Sequence, residues 1–90
     1  MRIAFTVLGR VQGVGFRYFV REAGESLGLS GFVRNDWDGT VTGCAEGEPA
    51  LLEALRRELE RGNTLSRVSR VDWSPLSEGK SLPFPFEIHP

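Results

Sequence analysis

The sequence predicts an α+β fold, a ferredoxin-like split β-α-β sandwich with a mainly antiparallel sheet and two helices on one face. Three observations predict it. Apolar residues switch between the alternation of strands and the three-four spacing of helices in the order β-α-β-β-α-β. The dipeptide Asp38-Gly39, a strong hairpin signal, lies between the second and third strands. A short fifth strand follows near the carboxyl terminus.

The first half of the chain is predicted to form a strand, a helix and a second strand. Residues 2–8 alternate between apolar and smaller or polar side chains, which is typical of a half-buried strand. Helical spacing follows and stops at Gly28, a residue suited to the end of a helix. The apolar residues with that spacing are Phe16, Phe19, Val20, Ala23 and Leu27. Residues 29–34 are predicted to be a strand and residues 35–39 a turn.

The second half is predicted to supply the returning strand, a second helix and two more strands. Residues 40–46 form the returning strand, with Val41, Gly43 and Ala45 on one face. The second helix opens at Gly47-Glu48-Pro49, since proline is tolerated in the first turn, and closes at Gly62-Asn63. Its predicted apolar face consists of Leu51, Leu52, Leu55 and Leu59. Residues 68–73 form the fourth strand, residues 75–83 a loop, and Phe84, Phe86 and Ile88 alternate as the fifth strand.

Size and composition restrict the functional classes. Ninety residues make one domain, residues 1–90, with room for one core. Eleven basic against twelve acidic residues give a net charge of −1, which argues against binding to nucleic acid or to a membrane surface. One cysteine excludes an internal disulfide, and no segment approaches the ~20 apolar residues of a spanning helix. We therefore expect a soluble, monomeric, cytoplasmic protein.

The turn from Gly9 to Arg17 holds three glycines and two arginines between the first strand and the first helix. Glycine allows successive N–H groups to point into one concavity, and the start of a helix adds unpaired N–H donors and a positive dipole. Arginine supplies a donor fork that matches a phosphate. The pattern fits neither a Walker loop nor a dinucleotide fingerprint, because Phe16-Arg17 follows Gly15 and Tyr18 occupies the third small position. On glycine content alone, an anion site and an ordinary solvated turn both remain open.

Two segments resemble the signatures of acylphosphatases: Gly9-Arg-Val-Gln-Gly-Val-Gly-Phe-Arg17 and Gly31-Phe-Val-Arg-Asn-Asp-Trp-Asp-Gly-Thr-Val41. The likeness covers the whole chain. It implies an enzyme that hydrolyses the mixed anhydride of a carboxylic acid and phosphate, with no metal and no organic cofactor. Two departures stand out: Phe32 replaces the more usual tryptophan or tyrosine, and Asp36-Trp37 varies the loop after the asparagine. Trp37 leaves the preference for the acyl group open.

The resemblance also implies roles for individual residues. Arg17 would bind the substrate phosphate, and Asn35 would orient the attacking water, with no phosphoenzyme. Backbone N–H groups would assist from Val11, Gln12, Gly13, Val14, Gly15 and Phe16. The chemistry agrees, because the leaving carboxylate has a conjugate-acid pKa of about 4 and departs without a general acid. That agrees with a sequence whose only histidine, His89, is the penultimate residue. Asparagine can hold a water but cannot deprotonate it, so the proton would pass to the substrate's own phosphate oxygens.

Other functions remain open at this stage. An RNA-recognition module shares this topology but needs aromatic and basic residues on its central strands, where this chain carries Phe5, Val7, Val41 and Ala45. A domain of a larger maturation enzyme that handles carbamoyl phosphate, or a regulatory domain that binds phosphate without turnover, would carry the same motifs. Arg10 and Arg34 are predicted to be solvated or to steer the anionic substrate, and Cys44 to be a small packed residue.

Overall fold

Five strands and two helices make up the chain, which a computed structural model describes at residues 1–77 and 79–90. The elements are β1 (Arg2–Arg10), α1 (Phe16–Ser26), β2 (Ser30–Asn35), β3 (Val41–Glu46), α2 (Pro49–Arg61), β4 (Arg67–Leu76) and β5 (Glu87–Ile88). The strand order is β4-β1-β3-β2-β5, and every neighbouring pair is antiparallel except β2 with β5. The predicted α+β, ferredoxin-like fold with a mainly antiparallel sheet is confirmed.

The core lies between one face of the sheet and the two helices. Alternate residues of β1 and β3 are buried on that face, and they are Ile3, Phe5, Val7, Val41 and Ala45. The helices meet them with side chains spaced three or four apart, chiefly Phe16, Val20, Leu52, Leu55 and Leu59. Burying each large apolar side chain stabilises the fold by roughly 1.5–3 kcal/mol. This single shared core confirms that both helices pack on one face.

β1 is longer than predicted, and the reason lies at Gly9. This residue has φ +128°, and a Cβ there would collide with the carbonyl oxygen of Arg67 on β4. Glycine therefore allows a β-bulge, seen as a register shift after Leu8, beyond which the strand continues to Arg10. Gly9 and Arg10 thus belong to the strand, and their predicted place in the turn is wrong.

β4 also outlasts its predicted end, since it runs to Leu76 instead of residue 73. Pro75 lies within it, opposite Ile3 of β1. β4 is an edge strand, where a missing backbone donor costs no ladder hydrogen bond. The predicted loop over residues 75–83 includes Glu78, which lies outside the described residues.

Leu51 and Phe84 lie outside the core, although the sequence predicts Leu51 on the apolar face of the second helix and Phe84 in the fifth strand. Leu51 is 36% exposed because it is turned by about 100° from its neighbour Leu52 on the buried stripe. Phe84 is 70% exposed because β5 contains only Glu87–Ile88, so strand alternation does not reach back to it. Phe86 is buried as expected. None of the described helices combines the length and the apolar character needed to cross a membrane.

Candidate active site

The connection between β1 and α1, which we call the glycine loop (residues 11–16), forms one wall of the candidate site. Gly13 and Gly15 both have φ +74°, a left-handed conformation that residues with side chains rarely adopt. Gly15 is the N-cap of α1, and its carbonyl accepts the first helical hydrogen bond from Phe19 N at 3.1 Å. The left-handed turns redirect the chain sharply just before the helix begins.

The N–H groups of residues 12–17 point to no acceptor within the part of the chain that the structure describes. No side chain caps α1, and its first turn holds no acidic residue. Unpaired donors at a helix N-terminus concentrate positive potential there. The loop can therefore accept an oxyanion without first breaking an internal hydrogen bond.

Arg17 extends this donor set with a full positive charge. Its half-buried side chain lies in the first turn of α1, and Nη1 donates to the carbonyl of His89 at 3.4 Å. The N–H of His89 in turn donates to the carbonyl of Val33 on β2 at 2.8 Å. No carboxylate pairs with Arg17 among the described residues. The guanidinium is thus positioned by a neutral carbonyl and keeps its charge for a ligand.

Asn35 faces the loop from the end of β2. It is the last residue of that strand, opposite Val41 of β3. Its Oδ1 is buried and has no hydrogen-bond partner among the described residues. An unsatisfied buried acceptor costs about 1–3 kcal/mol, so this atom suits a donor that arrives with the ligand, such as a water.

A cavity of about 110 Å³ joins the loop, the helix start and the end of β2. Its lining residues are Val11, Gly13, Gly15, Phe16, Arg17, Tyr18 and Asn35. The structure therefore brings together six of the eight residues that the sequence marks as a site. The lining residues supply no carboxylate, imidazole or thiol, whereas they do supply a guanidinium, an amide and backbone N–H groups.

The two remaining site residues, Gln12 and Val14, turn their side chains elsewhere. The Nε2 of Gln12 donates to the carbonyls of Asp36 and Thr40, at 2.7 and 2.9 Å. Val14 is buried in the core, and its carbonyl accepts a hydrogen bond from Nδ2 of Asn63 at 2.8 Å. Only their backbone groups can take part in the predicted anion site.

Sequence reasoning missed Tyr18. Its ring is 59% exposed at the rim of the cavity, and the guanidinium of Arg21 lies 5.2 Å from the ring centroid. Its place directly after Arg17 in the first helical turn was the available signal, because the opening of a helix faces whatever binds at its N-terminus. Tyr18 is placed to contact the part of a ligand that extends out of the cavity.

The other candidate residues lie away from this cavity. Arg10 is exposed, and Arg34 donates through Nε to Oδ1 of Asp36 at 3.0 Å. Cys44 is half-buried on the face of the sheet opposite the helices, and burial raises the pKa of its thiol against the opposing effects of Arg2 and Arg34. Within residues 1–77 and 79–90, His, Cys, Asp and Glu form no group of three suited to a metal ion.

Comparisons of the sequence and of the structure with known proteins indicate the same family. The acylphosphatase family model matches residues 3–88. An acylphosphatase of Nitratidesulfovibrio vulgaris is 45% identical over 89 residues, which cover 97% of this chain and 88% of the relative. The structure of an acylphosphatase from Coxiella burnetii superposes with a TM-score of 0.86 at 37% identity, covering 98% of this chain and 90% of that one. HypF of T. kodakarensis matches with a TM-score of 0.78 at 31% identity, covering 98% of this chain but 12% of HypF.

Proposed function

This chain belongs to the acylphosphatase family, hydrolases that act on acid anhydrides, and we propose that it cleaves the carboxyl-phosphate bond of small acyl phosphates to a carboxylate and phosphate. The main support is the ~110 Å³ cavity lined by Arg17, by glycine-loop residues and by Asn35. Among the described residues, Arg17 has no carboxylate partner, and neither the loop N–H groups nor Oδ1 of Asn35 form a hydrogen bond. The first two suit a phosphoryl group, and the third suits a water.

The glycine loop and Arg17 bind the phosphoryl group in this mechanism. Phosphoryl transfer spreads charge over three equatorial oxygens, which a guanidinium fork and preorganised N–H donors stabilise. The N–H groups of residues 11–16 and the two outer nitrogens of Arg17 supply this set. Because the loop donors have no partner among the described residues and Arg17 makes only one long hydrogen bond, little reorganisation precedes the reaction.

Asn35 holds the attacking water. Its Oδ1 accepts a hydrogen bond from the water and directs a lone pair at phosphorus, in line with the leaving oxygen. The bond from water oxygen to phosphorus forms while the bond from phosphorus to the acyl oxygen breaks. The electron pair leaves with the carboxylate, and the water proton passes to a phosphate oxygen and then to solvent. No side chain has to donate a proton, since a carboxylate leaves unprotonated at neutral pH.

Hydrolysis of benzoyl phosphate tests the proposal, with 4-nitrophenyl phosphate as the matched monoester and a chelator present throughout. We expect rapid cleavage of the anhydride, unaffected by the chelator, and no cleavage of the monoester, whose leaving group is a weaker one. Equal rates on both substrates would indicate a general phosphatase. Loss of activity with the chelator would overturn the metal-independent reaction.

The stereochemistry at phosphorus tests whether water attacks directly. In water labelled with a third oxygen isotope, direct attack inverts a thiophosphoryl group made chiral by its sulfur and two other oxygen isotopes, whereas a phosphoenzyme would give retention after two displacements. We expect inversion, because no lining residue is an activated nucleophile. Retention would require a phosphorylated side chain, and Tyr18 would be the first to examine.

The remaining parts of the proposal concern the state of the enzyme. We propose a single-domain, cytoplasmic monomer that needs no cofactor and binds neither nucleic acid nor membranes. The near balance of charge and the single half-buried cysteine support this. Light scattering at micromolar concentration tests the monomer, with a mass of 10.0 kDa as the expected result.

A further inference from the structure

The side chain of Gln12 connects the two halves of the candidate site. Its Nε2 donates to the carbonyl of Asp36 at 2.7 Å and to that of Thr40 at 2.9 Å. These carbonyls flank the β2–β3 hairpin turn (residues 36–40), which is closed by a hydrogen bond from Asp36 N to Thr40 O at 2.9 Å. Asp36 directly follows Asn35. One side-chain amide thus ties the glycine loop to the backbone that carries Asn35.

The glycine loop is anchored in the core by its buried apolar side chains and is further held by such ties. Gly13 and Gly15 give it a wide range of backbone conformations, and the N–H groups of residues 12–17 form no hydrogen bonds within the described residues. Two side-chain amides, one within the loop and one outside it, tie the loop to other segments. Gln12 ties it to the hairpin turn, and Asn63 ties it through the carbonyl of Val14 to the connection between α2 and β4. The two ties lead to different parts of the molecule.

Asn35 depends on the same hairpin turn. Its Oδ1 has no partner, so no hydrogen bond from a protein donor fixes that oxygen among the described residues. Its location follows from the backbone at the end of β2, which is paired with Val41. A shift of about 1 Å between a reacting group and its target can cost roughly 10²-fold in rate. The reaction rate should therefore depend on the distance between the glycine loop and the hairpin turn.

We propose that the Gln12 side chain is a positioning residue, which sets the distance between the phosphate held by the glycine loop and the water held by Asn35. The inference rests on the proposed function. Both atoms that Gln12 contacts are carbonyl oxygens, so only a donor can hold them together. The Gln12 side chain does not line the cavity and acts on the reaction only through the hairpin turn.

The first test separates kcat from phosphate affinity in Gln12→Ala. We expect kcat for benzoyl phosphate to fall about 10–100-fold, because the phosphate in the loop and the water at Asn35 are no longer held at the correct distance. The inhibition constant of inorganic phosphate should stay within about threefold, because Arg17 and the loop donors remain. Asn63→Asp is the matched control, since it removes an amide donor from the same loop but leaves the hairpin tie intact. It should weaken phosphate binding more than it lowers kcat.

Gln12→Glu gives a second test within one folded variant. An ionised carboxylate only accepts hydrogen bonds and repels the two carbonyls, whereas its protonated form regains one O–H donor. The carbonyls favour that form and so raise the pKa of the introduced carboxyl above about 4.3. The rate of this variant, divided by the native rate at each pH, should therefore rise as the pH falls from about 7 to 4.

Three results would overturn the inference: a kcat for Gln12→Ala within twofold of native, a parallel loss of kcat and phosphate affinity, or a flat pH ratio for Gln12→Glu. Each of them requires a native enzyme that hydrolyses benzoyl phosphate. A native protein without that activity would instead remove the proposed function, so the two failures are distinguishable.

Discussion

The glycine loop and the β2–β3 hairpin turn are both short, glycine-containing connections, yet they use their backbone N–H groups in opposite ways. Three of the five N–H groups of the hairpin turn form hydrogen bonds within it: Asp36 N donates to Thr40 O, Gly39 N to Asp36 O, and Thr40 N to Oδ1 of Asp38. The glycine loop pairs none of the donors from residues 12–17 within the described chain. The hairpin turn is therefore held by its own donors, whereas the donors of the glycine loop remain available for the anion that we propose binds there.

This difference assigns the two connections different functions. A turn with satisfied donors holds its shape and can serve as a fixed support for Asn35. The glycine loop gains stability from a bound anion, and its buried apolar side chains and the amides of Gln12 and Asn63 hold it in place. Substitutions in the loop should therefore change catalysis more than stability, and those in the hairpin turn the reverse.

The largest expected effect is that of Arg17→Ala. Each charge-assisted hydrogen bond to a phosphoryl oxygen contributes roughly 1.5–3 kcal/mol, so losing two should lower kcat/KM by about 10²–10⁴-fold. The melting temperature should barely change, since Arg17 makes one long bond to the His89 carbonyl. Steady-state kinetics and thermal melts check both. Activity within a few-fold of native would remove Arg17 from the catalytic role.

The next largest effect is expected for Asn35→Ala, which should lower kcat by about 10²-fold or more while phosphate still binds as a competitive inhibitor. Removing a buried acceptor that lacks a partner should leave the free energy of unfolding unchanged or raise it. Inhibition by phosphate, together with urea unfolding, measures these separately. Unchanged turnover would make Asn35 only a strand-end residue.

A matched pair of glycine substitutions tests the comparison at equal conformational cost. Gly13→Ala and Gly39→Ala both place a Cβ at a positive φ, of +74° and +93°, with no atom within 4 Å of it. Both should lose about 1–2 kcal/mol of stability. Only Gly13→Ala should also lower kcat/KM, by about tenfold or more, because it redirects donors at the site. Equal kinetic effects would show that the two connections do not differ in function.

The smallest effect is expected for Asp38→Ala in the hairpin turn. Hydrogen bonds from the Thr40 hydroxyl, and then from its N–H, lower the pKa of Asp38 below 3.8. A depressed carboxyl pKa stabilises the fold above that value, and the stabilisation disappears as the pH falls through the folded-state pKa. The melting temperature should thus be slightly lower than native at neutral pH, and the gap should close below about pH 3.8. The kcat of this variant should remain within about threefold of native. A large loss of kcat would contradict the difference in function between the hairpin turn and the glycine loop.

The fold was predictable because local patterns and tertiary packing agree in this chain. Alternation in β1 and β3 and three-four spacing in both helices place most of the buried residues correctly, with Leu51 as the exception. The errors arose where tertiary contacts override pattern. The bulge at Gly9 depends on Arg67, which is distant in sequence, and Phe84 is exposed because β5 pairs over only two residues.

The two motifs indicated most of the residues that line the cavity, but they did not indicate the hydrogen bonds that connect the segments around it. Glycines, an arginine and an asparagine in two motifs were enough to indicate the cavity. The hydrogen bonds of Gln12 to Asp36 and Thr40 span 24 and 28 residues, and no local pattern encodes them. Tyr18 likewise lines the cavity because the fold places the start of α1 beside the end of β2.

A titration of ¹⁵N-labelled protein with inorganic phosphate, followed by amide chemical shifts, tests the central claim most directly. We expect saturable shifts at the amides of residues 12–17, with those of residues 36, 39 and 40 changing far less. Arg17→Ala should weaken the binding constant without moving the affected amides elsewhere. Shifts that cluster in the hairpin turn or on the open face of the sheet, or no saturable binding at all, would contradict it.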